Sequence, residues 1–132
     1  MFEEYVTVKG EHWDRDQIAV FEVPIYDTIH PMNLYINIRN TGNYPYSNLY
    51  LFVKITAPNQ SLAIDTVECI LADKKGKWLG KGIGDLFEIK HLYKKGVKFA
   101  QKGNYLFSIE QAMRDEKLCC INDIGVRIEK AN

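Results

Sequence analysis

Two segments of alternating residues flank a short aromatic turn, and this arrangement constrains the fold more than any other feature of the chain. Leu34, Ile36 and Ile38 alternate with Tyr, Asn and Arg, and apolar residues occupy every second position from Leu49 to Ile55. A period of two is typical of strands with one buried face. The intervening segment 40–48 holds Asn, Gly, Pro and Ser with two tyrosines, more aromatic surface than a turn requires.

The same alternation recurs along the chain and predicts an all-β fold. Further segments with strand character lie at 18–26, 61–72, 97–99, 105–107 and 124–128, and segment 85–95 is interpreted as a short strand followed by a loop. Pro24 indicates an edge strand, and the charged turn 73–77 is of the hairpin type. We therefore predict an antiparallel, jelly-roll-like β-sandwich of about seven or eight strands, with a closed barrel as the alternative.

One segment has the local signature of a helix rather than a strand. Ser108-Ile109-Glu110-Gln111 has the Ser-x-x-Gln form of a capping box, in which two side chains satisfy free backbone amides at a helix start. This pattern predicts a helical turn or two that ends by Arg114.

Length and charge narrow the class of protein. A chain of 132 residues and 15.3 kDa is expected to form one domain, residues 1–132. Lys and Arg number 17, as do Asp and Glu, so no overall field favours nucleic acid or an anionic membrane. The first residues are acidic where a signal peptide would be basic and then apolar, so the sequence shows no export signal. No apolar run is long enough to span a bilayer.

Three cysteines are present: Cys69, Cys119 and Cys120. Adjacent positions 119 and 120 would point to opposite faces of a strand, so this count and spacing favour small buried side chains over a disulfide framework. A pairing of Cys69 with either of the others is the alternative in an exported protein.

The residue types that support catalysis or metal binding are scattered. His12, His30 and His91 have no spacing that would aim two imidazoles at one metal, so no metal site is predicted. The glycines at 80, 82 and 84 lack the spacing and following helix of a phosphate loop and are interpreted as bulge or turn residues. We expect a protein that is not an enzyme and has no cofactor.

Aromatic residues near turns are the best candidates for a binding site. Exposed rings can stack on sugars or anchor a protein partner, and tyrosine hydroxyls add directional hydrogen bonds. Tryptophans that cap the open ends of the sandwich are the alternative. The candidate binding residues are Trp13, Arg39, Tyr44, Tyr46, Asn48 and Trp78.

Two arginines could stabilise the fold instead of binding a partner. Arg39 and Arg114 could each pair with a buried carboxylate such as Asp65, and we expect such a structural ion pair rather than a recognition site. Asp65 and Arg114 are the candidate pair.

Several segments, in this order, resemble the GldH-type gliding-motility lipoproteins of the Bacteroidetes, from about Trp13 to Lys130. The matching segments are Tyr35-Ile-Asn-Ile-Arg-Asn40, Tyr44-Pro-Tyr-Ser-Asn-Leu49, Asp65-Thr66, Leu71-Ala-Asp73, Gly76-Lys-Trp-Leu-Gly80 and Ile109-Glu-Gln-Ala-Met-Arg114. The resemblance implies a periplasm-facing envelope protein, attached to the membrane only through an N-terminal lipid anchor. It also implies an association with the gliding apparatus and type IX secretion, without a known reaction.

Two functional hypotheses follow. The first is a component that binds envelope proteins, including gliding or secretion components, through the turn at Tyr44–Asn48. The alternative is a carbohydrate-binding module, in which Trp78 or Trp13 would stack on a glycan. Nucleic acid is not an expected partner.

Overall fold

The computed structural model describes residues 1–10 and 12–132, and all regular structure in these residues is β-strand. Its eleven strands are β1 (Phe2–Thr7), β2 (His12–Asp14), β3 (Ala19–Ile25), β4 (Met32–Thr41), β5 (Asn48–Thr56), β6 (Leu62–Ile70), β7 (Lys81–Ile83), β8 (Leu86–Val97), β9 (Gly103–Gln111), β10 (Lys117–Cys119) and β11 (Ile121–Lys130). Within this part of the chain, no helix is long and apolar enough to cross a membrane.

The strands form two main sheets that pack face to face. One has five strands in the order β1-β11-β4-β8-β7, and the other has four in the order β3-β9-β5-β6. A short β10-β2 pair forms a third sheet. All of these neighbours pair antiparallel, so the predicted antiparallel β-sandwich is confirmed.

The core lies between the inner faces of the two sheets. Alternate residues of β3, β5 and β9 point inward from the four-stranded sheet, and alternate residues of β4 and β11 meet them from the five-stranded sheet. Burial of these side chains is the main source of stability. The largest fully buried side chains are Trp13, Phe21, Phe107, Leu34, Ile36, Ile38, Leu49, Leu51, Leu71, Ile109, Leu118 and Ile124.

The strand count is higher than the predicted seven or eight. Strands β2, β7 and β10 have three residues each, too few to show an alternation. The predicted division of segment 85–99 into a strand, a loop and a second strand is wrong, because β8 runs unbroken from Leu86 to Val97. The register of its pairing with β4 shifts around Leu34, and the pairing continues on both sides of this irregularity.

The predicted helix at 108–114 is also wrong. Ser108 to Gln111 lies inside β9, which pairs with β3 on one side and β5 on the other. Tyr105, Phe107 and Ile109 of that strand point into the core. Burial of these side chains and hydrogen bonding to strands on both sides therefore outweigh the local preference for a helix.

The cysteine arrangement differs from the prediction. Cys119 and Cys120 are paired with each other, whereas Cys69 is free and buried, which raises the pKa of its thiol to about 12. Cys120 lies in the turn between β10 and β11 with a φ of 77°, so the two residues do not alternate as they would within a strand. The argument from opposite strand faces was wrong for this reason.

The outer face of the five-stranded sheet has a network of ion pairs. Arg127 binds Glu3 through Nη1 and Glu129 through Nε, each at 2.8 Å. Lys90 Nζ lies 3.1 Å from Glu129 and over the ring of Tyr35. These charged side chains cover the sheet and leave it polar toward solvent.

The outer face of the four-stranded sheet is apolar by comparison. Val20, Phe52 and Ile64 are exposed there, on neighbouring rows of the same face. Lys54 lies among them, directly opposite Ile64 on the adjacent strand. The two outer faces of the sandwich therefore differ in chemistry.

Gly125 in β11 is required by close packing on the five-stranded sheet. It lies opposite Tyr5 of β1, whose ring crosses it, so a Cβ at this position would come within 2.7 Å of the ring and 3.0 Å of the Glu4 carbonyl oxygen. The Tyr5 hydroxyl accepts a hydrogen bond from Asn37 Nδ2 at 3.0 Å, which holds the ring in place.

Substitution Gly125→Ala should lower the free energy of unfolding by about 1–3 kcal/mol, because the added methyl group displaces the Tyr5 ring and the adjacent backbone. Gly82→Ala is the matched control, since no atom lies within 4 Å of a Cβ there. Urea denaturation of both variants tests this, and equal losses in the two would contradict the packing argument.

Candidate functional site

The connection between β4 and β5 passes from one sheet to the other and covers one end of the sandwich. Tyr44 in this connection is only 4% exposed, and its hydroxyl donates to the Asn48 carbonyl at 2.7 Å. Its backbone amide donates to the Thr41 carbonyl at 3.2 Å. Burial raises the pKa of Tyr44 well above its usual value. Tyr44 therefore closes the end of the core.

Tyr44 belongs to an aromatic cluster, defined as Tyr44, Tyr46, Trp78 and Phe87, in which two rings lie against Tyr44 and Phe87 lies against Trp78. Tyr46 meets Tyr44 edge to face, with ring centroids 5.8 Å apart. Trp78 lies 6.4 Å from Tyr44 and stacks on Phe87 at 5.9 Å with an interplanar angle of 30°. Such offset and edge-to-face geometries are favourable for aromatic pairs.

Tyr46 is the most accessible ring of the aromatic cluster, at 38% exposure. Its hydroxyl donates to Asp115 Oδ1 at 2.8 Å, and this hydrogen bond raises its pKa. Trp78 and Phe87 are half-buried, and Leu79 beside them is exposed. The aromatic cluster thus offers an apolar surface whose most exposed ring is already fixed in position.

Neighbouring backbone holds Trp78 against the sandwich. Leu79 N donates to the Leu71 carbonyl at 2.9 Å, and Ala72 forms a bridge with Trp78. A Cβ on Gly80 would lie 2.9 Å from the backbone of Glu88, so this position needs glycine to bring the segment close to β8. The segment that follows the hairpin turn is therefore fixed at both ends.

The predicted site residues fall into two groups. Tyr44, Tyr46 and Trp78 come together in the aromatic cluster. Asn48 lies beside it, with Nδ2 donating to Glu68 at 2.8 Å. Trp13 is 2% exposed in the core, and its Nε1 donates to the Gln17 carbonyl at 2.7 Å, so its ring has no free face for a ligand.

Arg39 lies on the outer face of the five-stranded sheet rather than in the aromatic cluster. Its Nε is 2.5 Å from Glu88 Oε2, its Nη1 is 3.8 Å from Asp123 Oδ2, and its guanidinium lies over the Tyr5 ring. The hydrogen bond to Glu88 is the main reason that its pKa is raised. Arg39 is thus in a structural ion pair, with Glu88 and Asp123 instead of Asp65.

The predicted pair of Asp65 with Arg114 does not form. Asp65 accepts a short hydrogen bond from the Tyr93 hydroxyl and lies 3.4 Å from Lys94 Nζ. Both partners belong to β8, in the sheet that faces β6. Arg114 is exposed, and its carbonyl accepts a hydrogen bond from Arg15.

Among residues 1–10 and 12–132, no three His, Cys, Asp or Glu side chains lie close enough together to hold a metal ion. His30 is bonded to Asp27 at 2.8 Å within a turn. The burial of His91 lowers its pKa.

The fold and the site define a β-sandwich protein that presents aromatic side chains at one end. The model of the GldH lipoprotein family matches residues 1–128, and the chain belongs to that family. It is 39% identical over 137 residues to the gliding motility lipoprotein GldH of Flavobacterium johnsoniae, covering 98% of this chain and 84% of that protein. A GldH homolog of Christiangramia forsetii is 39% identical over 139 residues, covering 100% and 85%.

The family model and these two relatives confirm the resemblance to GldH-type lipoproteins that the sequence showed. Among solved structures, CBM35 from Cellvibrio japonicus Abf62 aligns over 99% of both chains with 14% identity and a TM-score of 0.39. That score supports no inference about a ligand.

Tyr44 and Tyr46 should respond very differently to truncation. Tyr44→Ala should lower the free energy of unfolding by about 3 kcal/mol or more, because it removes a buried ring. Tyr46→Ala should change it little, since that ring is largely outside the core. Urea denaturation of the two variants tests this, and equal losses would contradict the assignment of Tyr44 to the core.

The pKa of Asp65 lies below its usual value because the Tyr93 hydroxyl donates to it and Lys94 is nearby. Ionised Asp65 therefore stabilises the fold above about pH 4, and this contribution is lost as the pH falls through the lowered pKa. Asp65→Asn should cost about 0.5 kcal/mol at neutral pH, because exposed pairs contribute little.

The difference between the wild type and Asp65→Asn should disappear in acid. Stability measured from pH 7 downward tests this, with Asp85→Asn, an exposed residue of the β7–β8 turn, as the control. A difference that stays constant with pH would contradict the role of the carboxylate charge.

Proposed function

We propose that this chain is part of a lipid-anchored, periplasm-facing envelope protein that binds other proteins of the gliding apparatus and the associated type IX secretion system. Its family and the names of its relatives support the gliding and lipoprotein parts of the proposal. The single observation that supports protein binding is the accessible side of the aromatic cluster at the end of the sandwich, where Tyr46 and the neighbouring Leu79 are exposed. We further propose that the protein is not an enzyme.

The geometry of the aromatic cluster suits a protein partner. Asp115 holds the Tyr46 hydroxyl, so little side-chain entropy remains to be lost when a partner covers the ring. Aromatic side chains in such positions are common anchors of protein interfaces. Leu79 extends the apolar area beyond the rings.

A carbohydrate partner fits this surface less well. Sugar binding by stacking requires an open ring face, whereas Phe87 lies over Trp78 on one side and Tyr44 approaches it as well. The Tyr46 ring is in edge-to-face contact with Tyr44, and its hydroxyl is hydrogen-bonded to Asp115. The aromatic cluster thus lacks a broad flat platform.

The proposal predicts that Tyr46→Ala reduces partner capture by about tenfold or more, which corresponds to the loss of one interface anchor. The measurement is affinity capture by the full-length lipidated protein from the envelope fraction of its own organism, with mass spectrometry of the retained proteins.

Tyr26→Ala is the matched control, because Tyr26 is 78% exposed and lies in the β3–β4 connection at the opposite end of β4. Wild type and Tyr26→Ala should retain gliding or secretion proteins that Tyr46→Ala loses. Equal capture by all three would reject the aromatic cluster as the site, and retention of glycan without protein would reject the protein-binding function.

A further inference from the structure

Strand β6 forms one edge of the four-stranded sheet, with β5 on one side and, in the residues that the structure describes, no strand on the other. The hydrogen bonds between β5 and β6 show which backbone N–H and C=O groups of β6 have no partner strand. Ala57 N donates to the Ser61 carbonyl at 2.9 Å, and Leu71 N donates to the Ser47 carbonyl at 2.8 Å. Because hydrogen-bonded and non-bonded pairs alternate, odd-numbered residues of β6 face β5.

The even-numbered residues of β6 therefore direct their N–H and C=O groups outward. Their side chains lie on the apolar outer face, and Leu62, Ile64 and Ile70 are 59%, 66% and 46% exposed. The free edge ends beyond Ile70, where Leu79 hydrogen-bonds to the Leu71 carbonyl. This edge offers backbone groups and apolar side chains together.

The edges of the two main sheets differ in how readily they could accept a further strand. Strand β3 contains Pro24, β7 has three residues, and β1 has Glu3 and Glu4 in sequence. Proline, charge and short length all discourage pairing with another chain. Beyond its pairing with β7, residues 89–97 of β8 form another long edge, but they include three lysines. Strand β6 has nine residues without proline or lysine, and its charged residues are Asp65 and Glu68, so its length makes it the edge best suited to accept a further strand.

Strand β6 can pair with a second copy of itself without placing like charges opposite each other. An antiparallel pairing centred on Thr66 places Thr66 opposite Thr66 of the second copy, Ile64 opposite Glu68, and Leu62 opposite Ile70. All three pairs join even-numbered residues, whose N–H and C=O groups point away from β5 and can therefore form hydrogen bonds with the second copy. Asp65 then lies opposite Val67, so no like charges face each other.

Neighbouring registers are less favourable. Centring the pairing on Asp65 places two carboxylates directly opposite each other, and centring it on Glu68 does the same. The Thr66 register also uses the full length of the strand, since Thr66 is the middle residue of Leu62–Ile70. A register centred on Ile64 opposes no like charges but pairs only residues 62–66 of the strand, so length favours the Thr66 register over it.

We propose that this protein forms a twofold homodimer through antiparallel β6–β6 pairing in the Thr66 register. The four-stranded sheets of the two copies then form one continuous sheet of eight strands. Tyr93 and Lys94 of β8 hold Asp65 of β6 from the inner side, so the edge is in place before the second copy arrives. This interface is separate from the aromatic cluster.

Cysteine cross-linking tests the register. In the Thr66→Cys variant the two new thiols lie opposite each other across the twofold axis, at a Cα separation of about 5.5 Å that suits a disulfide. Mild oxidation should give a covalent dimer of Thr66→Cys. Ile64→Cys is the control and should not cross-link, because it lies opposite Glu68 of the second copy.

Sedimentation measures the association of the full chain without cross-linking. Mass should rise from monomer to dimer with protein concentration, and Thr66→Lys should weaken the dimer by tenfold or more, because it opposes two like charges. Thr66→Val should keep the dimer. Circular dichroism checks that each variant folds.

A monomer at every concentration overturns the proposal, as does a dimer that Thr66→Lys leaves unchanged. A cross-link at Ile64→Cys but not at Thr66→Cys overturns the proposed register. These outcomes are independent of partner capture through Tyr46.

Discussion

The structure depends on the burial of two apolar sheet faces against each other. Val53 of one sheet and Ile38 of the other have no exposed surface, and the residues around them alternate with outward-facing polar or aromatic side chains. A chain that forms two packed sheets must cross between them, and each crossing leaves an open end of the core. Tyr44 fills one such end, so the aromatic residues between β4 and β5 follow from the sandwich itself.

Sequence reasoning recovered the long strands because alternation over many residues is a strong signal. Strands β4 and β5 are examples, and Pro24 correctly marked β3 as an edge. Three-residue strands offer no such signal and form only because neighbours are already in place. The helix predicted from Ser108 failed for the opposite reason, since the central position of β9 overrides local preference.

The candidate site was recovered in part. Tyr44, Tyr46 and Trp78 meet because turns at the same end of a sandwich are neighbours, which the strand pattern implies. Phe87 and Asp115 were missed, since contacts between distant segments depend on register, and single residues give no signal of it. Trp13 could not be assigned either, because a tryptophan within a three-residue strand gives the same sequence pattern whether it is buried or exposed.

The two outer faces of the sandwich respond to salt in opposite ways. Mobile ions screen the pairs that Arg127 and Lys90 make on the five-stranded sheet, whereas salts excluded from protein surfaces strengthen apolar contacts such as those available around Ile64. As ionic strength rises, the ion pairs on the five-stranded sheet therefore become weaker, and apolar contacts made by the four-stranded sheet become stronger. At high ionic strength, the outer face of the four-stranded sheet would therefore be the side of the protein that associates more readily with other apolar surfaces.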